Sequence, residues 1–161
     1  MKKIVKVKKY KNWRYAEENN QKLTVKQNKD KRNHYLNEAI TECHKYIKLR
    51  DFNRRRYVKC VSCEDSVTHE TCNACHFISC SCWKYRFDPG NIHVGCVRCN
   101  AFEKQKHQQG YTIFMIKKYG IEKVDEMIFE SKQIHRKLTS QELEEIANTF
   151  KELSRDIVYW K

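Results

Sequence analysis

Residues 60–99 have the sequence CVSCEDSVTHETCNACHFISCSCWKYRFDPGNIHVGCVRC and hold eight of the nine cysteines of the chain. The only proline, Pro89, and two of the four glycines lie in the same stretch. This composition favours short strands and tight turns around a bound metal. Three Cys-x-x-Cys pairs supply the candidate ligands: Cys60/Cys63, Cys72/Cys75 and Cys96/Cys99.

Each Cys-x-x-Cys pair can turn two thiolates towards one Zn²⁺, and two pairs complete a tetrahedral structural site. The spacing alone does not decide which two pairs combine. A structural zinc is expected, and in a small domain it contributes folding free energy directly, on the order of 10 kcal/mol. The other cysteines are expected as small buried residues rather than as a second zinc site. They are Cys43, Cys80, Cys82 and the unused pair.

Helical patterns flank the cysteine-rich stretch. Apolar residues recur at three- and four-residue spacing over residues 33–50, which predicts an amphipathic helix with Asn33 as its N-cap. Further helices are expected to begin within residues 97–106, to stop at Gly120, and to begin at Thr139 or Ser140. The apolar faces are interpreted as core packing.

The chain is expected to be α+β, with four segments. A basic arm covers residues 1–32, an amphipathic helix with a basic cluster 33–57, a zinc-stabilised core 58–110, and C-terminal helices 111–161. The arm is rich in Lys and Asn with little apolar periodicity, which is typical of a flexible segment. Its aromatic residues Tyr10, Trp13 and Tyr15 fit equally well with stacking on bases and with docking on the chain's own domain.

The chain of 161 residues carries a net charge of +13, and the excess is concentrated in residues 1–56, which hold 18 basic and 6 acidic residues. A polyanionic partner such as DNA is therefore expected. The longest stretch without charged residues, Thr71 to Trp83, is 13 residues long, too short for a membrane helix. Lysines rather than an apolar segment follow Met1, so no secretory signal is predicted, and the cysteines do not indicate a disulfide framework.

Several motifs occur in a fixed order across residues 34–125. They are Tyr46-Ile47-Lys48-Leu49-Arg50-Asp51, Cys60-Val61-Ser62-Cys63, His76-Phe77, Arg86 to His93, and Cys96 to Asn100. This order resembles the ββα-metal (His-Asn-His, or HNH-like) nucleases and, within them, the phage NinG (Rap) recombination family. The resemblance covers roughly two-thirds of the chain.

The resemblance implies a small zinc-stabilised ββα-metal core flanked by helices. It implies that the zinc pins a hairpin to a helix beginning near Val97, and that the ligands are Cys60, Cys63, Cys96 and Cys99. It places His76, Asn91 and Asn100 at one cleft. His76 would act as general base, Asn91 would hold the loop and orient His76, and Asn100 would bind a catalytic Mg²⁺ or Mn²⁺. His93 is a further candidate for metal or phosphate contact.

One position departs from the family pattern. Related zinc-bearing resolvases have an Asp ligand before the base and NinG-like chains commonly have Gly, whereas this chain has Cys75. A soft thiolate is a poor ligand for Mg²⁺. The carboxylates of Asp88, Asp65 and Glu64 are candidate replacements.

The expected function is that of a metal-dependent DNA endonuclease on branched recombination intermediates, such as Holliday junctions, in a bacterial cytoplasm. The alternatives are a zinc-stabilised nucleic-acid-binding module without catalysis and a nicking endonuclease on ordinary duplex. A homodimer is expected, formed through the helix of residues 33–50 or that of residues 139–156. The expected DNA contacts are Arg54, Arg55, Arg56, Lys84 and Arg86.

Overall fold

The computed structural model describes residues 13–159, which form six helices and four short strands. The strands lie in the middle of the chain. In chain order the elements are α1 (Trp13–Glu18), α2 (Val25–Phe52), β1 (Val58–Lys59), β2 (Ser66–Val67), β3 (Cys72–His76), β4 (Ile92–Cys96), α3 (Val97–Ala101), α4 (Lys104–Tyr119), α5 (Ile121–Ser131) and α6 (Ser140–Tyr159). The α+β class is confirmed.

The long helix α2 begins two turns earlier than its apolar pattern predicts. Its N-cap is Thr24, whose hydroxyl accepts from the Gln27 N–H while the Gln27 side chain accepts from the Thr24 N–H. This reciprocal capping box satisfies two otherwise unpaired backbone donors, so Asn33 is an interior residue and not the cap. The helix ends at Phe52, followed by Asn53 in the left-handed conformation.

The predicted arm of residues 1–32 is also partly helical. Trp13 and Ala16 of α1 are buried, and the Trp13 ring lies 5.6 Å from that of Tyr35. Trp13 therefore packs on its own domain, which is the second of the two alternatives given for this residue. Tyr10 lies outside the described residues.

Two antiparallel pairs form the β structure. Strand β1 pairs with β2, and β3 pairs with β4 in a register that sets Cys72 opposite Cys96 and His76 opposite Ile92. Side chains alternate between the two faces of a strand. One face of the β3–β4 hairpin therefore carries Ala74 and His76 and packs against α2, whereas the other carries Cys75 and His93 and packs against α4 and α5.

Helices α2 and α6 pack against each other along most of their length. Ala39 of α2 is buried with Leu143 and Ala147 of α6, and the Lys151 ammonium lies 2.6 Å from the Glu38 carboxylate. Thr139 caps α6, as expected, because its hydroxyl accepts from the Glu142 N–H. Both helices proposed as dimer surfaces thus bury their apolar faces within the chain.

Helix α4 packs on the face of the β3–β4 hairpin that lies opposite α2. The helix predicted within residues 97–106 is broken after Ala101, and α4 begins at Lys104 and ends at Tyr119 before Gly120, which has φ +86°. Gly110 lies directly against the first cysteine pair, since a Cβ there would come within 2.0 Å of the Ser62 carbonyl oxygen. Within residues 13–159, no helix has the combination of length and apolar character needed to cross a bilayer.

Candidate metal centre and adjoining cleft

Four cysteines converge where β1, β4 and α3 meet. The sulfurs of Cys60, Cys63, Cys96 and Cys99 all lie within 4.8 Å of one another. The Cys63 and Cys96 sulfurs are 3.8 Å apart, the edge expected of a tetrahedron with Zn–S bonds of about 2.3 Å. The expected ligand set is therefore brought together, and it can hold a metal ion such as zinc.

Backbone amides are aimed at these sulfurs. The Cys60 sulfur accepts from the Cys96 N–H at 3.2 Å, and the Cys96 sulfur accepts from the Cys99 N–H at 3.3 Å. Cys96 is at once the last residue of β4 and the N-cap of α3. N–H donors of this kind favour the thiolate form that binds metal.

The third Cys-x-x-Cys pair does not form a ligand pair. Both of its cysteines lie in β3, where residues three apart point to opposite faces, so Cys72 packs with α2 and Cys75 with α4 and α5. Cys43 and Cys82 are buried, as expected. Cys80 is not, because its side chain is exposed.

The end of α2 fixes the hairpin through a pair of charged residues. Arg50 donates to the carbonyl oxygens of Pro89 and Ile92 at 2.7 and 2.8 Å, and Asp51 accepts from the Val94 N–H at 2.9 Å. The Tyr-Ile-x-x-Arg-Asp motif thus ties α2 to β4 and to the loop before it. The helix ends one residue after the motif, at Phe52, and Asn53 follows it in the left-handed conformation.

Between α2, β3 and α3 lies a cleft of about 250 Å³. It contains His76 and Asn100, two of the three residues expected to face one cleft. The other lining residues are Ile40, Cys43, His44, Ala74, Cys80, Arg86 and Phe87. We call this cavity the His76 cleft.

The His76 ring is held in one tautomer. Its Nε2 lies 2.9 Å from the Arg86 carbonyl oxygen, which can only accept, so Nε2 carries the proton and Nδ1 carries the lone pair. Burial lowers the pKa of His76, and the nearby Arg86 charge acts in the same direction, although the bond to the carbonyl opposes them. The imidazole is therefore neutral near pH 7.

Asn91 holds the loop but does not line the cleft, which corrects its expected position. The side chain is fully buried; its oxygen accepts from the Ile78 N–H at 2.6 Å, and its amide donates to the carbonyl oxygens of Ile78 and Tyr85 at 2.9 Å each. Tyr85 directly precedes Arg86, whose carbonyl oxygen binds His76. Asn91 thus reaches His76 through the backbone rather than by direct contact.

The donor atoms of the cleft do not by themselves fit Mg²⁺. Among the described residues, its lining offers the amide oxygen of Asn100, the imidazoles of His44 and His76 and the thiols of Cys43 and Cys80, but no carboxylate. Mg²⁺ prefers several hard oxygen ligands. The three candidate carboxylates lie elsewhere: Asp65 pairs with Arg98, Asp88 accepts from the Gly90 N–H, and Glu64 lines a separate cavity.

His93 lies on the opposite face of the hairpin, so the structure does not bring it together with Asn100. Tyr111 donates its hydroxyl to the Cys75 carbonyl and therefore accepts from His93 Nδ1 at 3.0 Å. His93 Nε2 accepts from the Lys118 ammonium at 2.8 Å. The Lys118 ammonium therefore already occupies the lone pair of His93. Burial, and to a smaller extent the positive charges of Lys118 and Arg50, lower the pKa of His93 to about 3. His93 is a core residue and not a ligand of a metal in the cleft.

The expected DNA-contacting cations lie in different places. Arg54, Arg55 and Arg56 are exposed after α2. Arg86 lines the His76 cleft, where its guanidinium stacks 4.8 Å from the Trp83 ring centre and its Nε is buried without a hydrogen-bond partner. Lys84 forms an ion pair with Glu130.

Sequence reasoning missed His44. Its ring lies 5.9 Å from that of His76 across the cleft, and burial, then the charge of His76, lowers its pKa to about 4. The available signal was its position one turn after Ile40 on the buried face of α2.

These features define a small α+β protein with a four-cysteine site that can hold a metal ion. A family model described as "Bacteriophage Lambda NinG protein" matches residues 1–158, so the chain belongs to the NinG family. Proteins named "Protein ninG" from Salmonella phage P22 and from Escherichia phage 933W are each 28% identical to it over 127 residues, 78% of this chain. The aligned part is 59% of the length of each of these relatives. No solved structure matches the chain.

Proposed function

We propose that this protein is an endonuclease of the ββα-metal (HNH-like) class that hydrolyses phosphodiester bonds in branched DNA within the bacterial cytoplasm. The observation that carries the proposal is the shared cleft of His76 and Asn100, built on a hairpin and a following helix that meet at the four cysteines. Membership of the NinG family and the excess of positive charge also support the proposal.

In this proposal His76 is the general base. Nδ1 takes a proton from the water that attacks phosphorus, the P–O3′ bond breaks, and the 3′-oxygen leaves and acquires a proton from solvent. Because Nε2–H donates to a fixed carbonyl, the ring needs no reorientation before it accepts the proton. Asn91 is the positioning residue of this arrangement.

Arg86 and Asn100 bind the DNA in the same proposal. Arg86 lines the cleft, and its guanidinium charge can attract a phosphate and offset its negative charge. Asn100 can offer an amide oxygen to a cation that arrives with the phosphate, but no step is assigned to such a cation, since the cleft lacks carboxylate ligands. A requirement for Mg²⁺ or Mn²⁺ remains a prediction.

A binding module without catalysis is the second candidate. The missing carboxylates favour it, because a metal-dependent nuclease ordinarily supplies more hard ligands than Asn100 alone. A nicking endonuclease on ordinary duplex would use the same cleft and differ only in substrate.

The test is incubation of the purified protein with a four-way junction and with linear duplex of matched sequence. Each substrate is incubated with Mg²⁺, with Mn²⁺ and with EDTA. We expect cleavage of the junction with a divalent cation and none with EDTA. Binding without cleavage under every condition would support the binding module, and equal cleavage of both substrates would support the nicking enzyme.

A further inference from the structure

A second cationic cavity lies on the far side of the β3–β4 hairpin from the His76 cleft. It has a volume of about 450 Å³ and is formed by the end of α2, by β1 and β4, and by α4. Its lining contains four cations and one carboxylate together with apolar side chains and a histidine. The charged residues are Arg50, Arg55, Lys59, Lys118 and Asp51, and the others are Val58, Val61, Val94, Phe114 and His93.

The carboxylate does not neutralise the outer cations. Asp51 is engaged by Arg50 at 2.7 Å and by the Val94 N–H, and Arg50 spends its other donors on backbone carbonyls. Arg55 is anchored at the mouth by a bond to the Asp51 carbonyl oxygen. Three further cations line this cavity: Lys59, Lys118, which uses one of its three N–H donors on His93, and Arg55, whose Nε and one terminal nitrogen donate to the carbonyl oxygens of Phe52 and Asp51. The other donors of Lys118 and Arg55 are left for a ligand.

A neighbouring cavity of about 490 Å³ extends this surface. The two cavities share Lys59, Val61 and Phe114, and the second adds Lys117 of α4. Glu64 is the one carboxylate lining it. Together they make a groove with cations spaced from Arg55 to Lys117, which we call the α4 groove.

The α4 groove and the His76 cleft share no lining residue. His76 and His93 lie on opposite faces of the hairpin, because His76 pairs with Ile92, the residue before His93. The β3–β4 hairpin therefore separates the two surfaces.

We infer that the α4 groove binds the phosphate backbone of a second DNA segment while the first occupies the His76 cleft. Cations distributed over two adjoining cavities fit the repeated charges of a nucleic-acid backbone better than they fit a single small anion. The inference rests on the proposed function for the identity of the polyanion. Its consequence is a preference for DNA in which two duplex arms meet, since only such DNA reaches both faces.

The test measures binding rather than cleavage. Affinities for a four-way junction and for linear duplex of matched sequence are measured without added Mg²⁺ or Mn²⁺, and without a chelator that would remove zinc, over a range of salt concentrations. The variant is Arg55→Ala/Lys59→Ala/Lys118→Ala. The control, Lys132→Ala/Lys137→Ala/Arg155→Ala, removes the same charge from exposed positions outside the groove. Zinc content and circular dichroism establish that each variant is folded.

We expect the wild-type protein to prefer the junction and the groove variant to lose that preference, with junction affinity falling about tenfold or more. The slope of log affinity against log salt for the junction should become shallower by about 3, because each lost phosphate contact removes about one unit. The control should retain the preference. Lys59→Glu/Lys117→Glu, which changes two exposed side chains, should repeat the effect if the triple variant folds poorly.

Three results would overturn the inference. They are equal affinity of the wild-type protein for both DNAs, an equal loss for both DNAs in the groove variant, and competition by polyglutamate as effective as that by DNA. Because no cleavage is measured, the absence of nuclease activity would leave this test intact. Junction cleavage by the wild-type protein, together with a groove variant that keeps its junction preference, would contradict the inference alone.

Discussion

His76 contributes to the proposed chemistry through its surroundings as much as through its own ring. The Arg86 carbonyl fixes the tautomer, and burial keeps the ring neutral. Asn91 fixes the loop that carries that carbonyl. The position of one proton thus depends on a backbone carbonyl and on the Asn91 side chain, which lies outside the cleft.

The lowered pKa of His76 predicts how cleavage depends on pH. A base with a lowered pKa stays deprotonated until the pH falls through that lower value, so activity should persist below pH 6.5, the usual value for histidine. Single-turnover cleavage rates with Mn²⁺ between about pH 5 and 8 would show this, with zinc content checked at each pH. An acid limb centred at or above pH 6.5 would contradict it.

Asn91→Ala should destabilise the protein and slow cleavage. It leaves the N–H and the carbonyl oxygen of Ile78 without the partner that Asn91 supplies, and the Tyr85 carbonyl oxygen with the Asp88 N–H at 3.3 Å as its remaining donor. A buried unpaired group costs about 1–3 kcal/mol, so we expect the free energy of unfolding to fall by about 3 kcal/mol. Denaturant unfolding measures this, and Asn73→Ala on β3 is the control. A change of under about 1 kcal/mol for Asn91→Ala would show that the loop has other supports.

At the scale of elements, the four-cysteine site replaces a large core. It joins the short β1–β2 pair to the junction of β4 and α3. Strands of two residues cannot be stable alone. The metal is therefore expected to hold the β1–β2 pair against the β3–β4 hairpin.

Cys96→Ser should therefore abolish cooperative unfolding, whereas the wild-type protein should contain about one zinc per chain. Cys80→Ser is the matched control, because Cys80 is exposed and outside the site. Elemental analysis and thermal unfolding are the measurements. Folded wild-type protein without zinc would refute the site.

The sequence predicted some elements well and others poorly, for physical reasons. The ordered motifs of the family resemblance identified the four cysteines that cluster, and the sequence limited the cap of α6 to Thr139 or Ser140, of which Thr139 is the cap. The start of α2 was missed because its first two turns are polar, so the cap at Thr24, rather than the apolar period, marks it. His93 was misplaced because strand alternation, which the motif does not encode, turns it away from Asn100.

At the scale of the molecule, one chain supplies one His76 cleft. Resolving a four-way junction takes two symmetric cuts, and a two-fold dimer is the simplest assembly that places two clefts. The surface joining the chains should not be the apolar faces of α2 and α6, since these pack on each other. Light scattering of the protein on a junction should give two chains per junction. One chain making two coupled cuts would exclude the dimer.

The most direct test of the central claim is junction cleavage by His76→Ala, with His135→Ala, a histidine that bonds to the Glu130 carbonyl after α5, as the control. Loss of the general base should lower the rate about 10²- to 10⁴-fold. Zinc content, and junction affinity measured without added Mg²⁺ or Mn²⁺, should stay close to the wild-type values, because His76 lies outside the four-cysteine site. Cleavage by His76→Ala at the wild-type rate would contradict the assignment of His76 as the base.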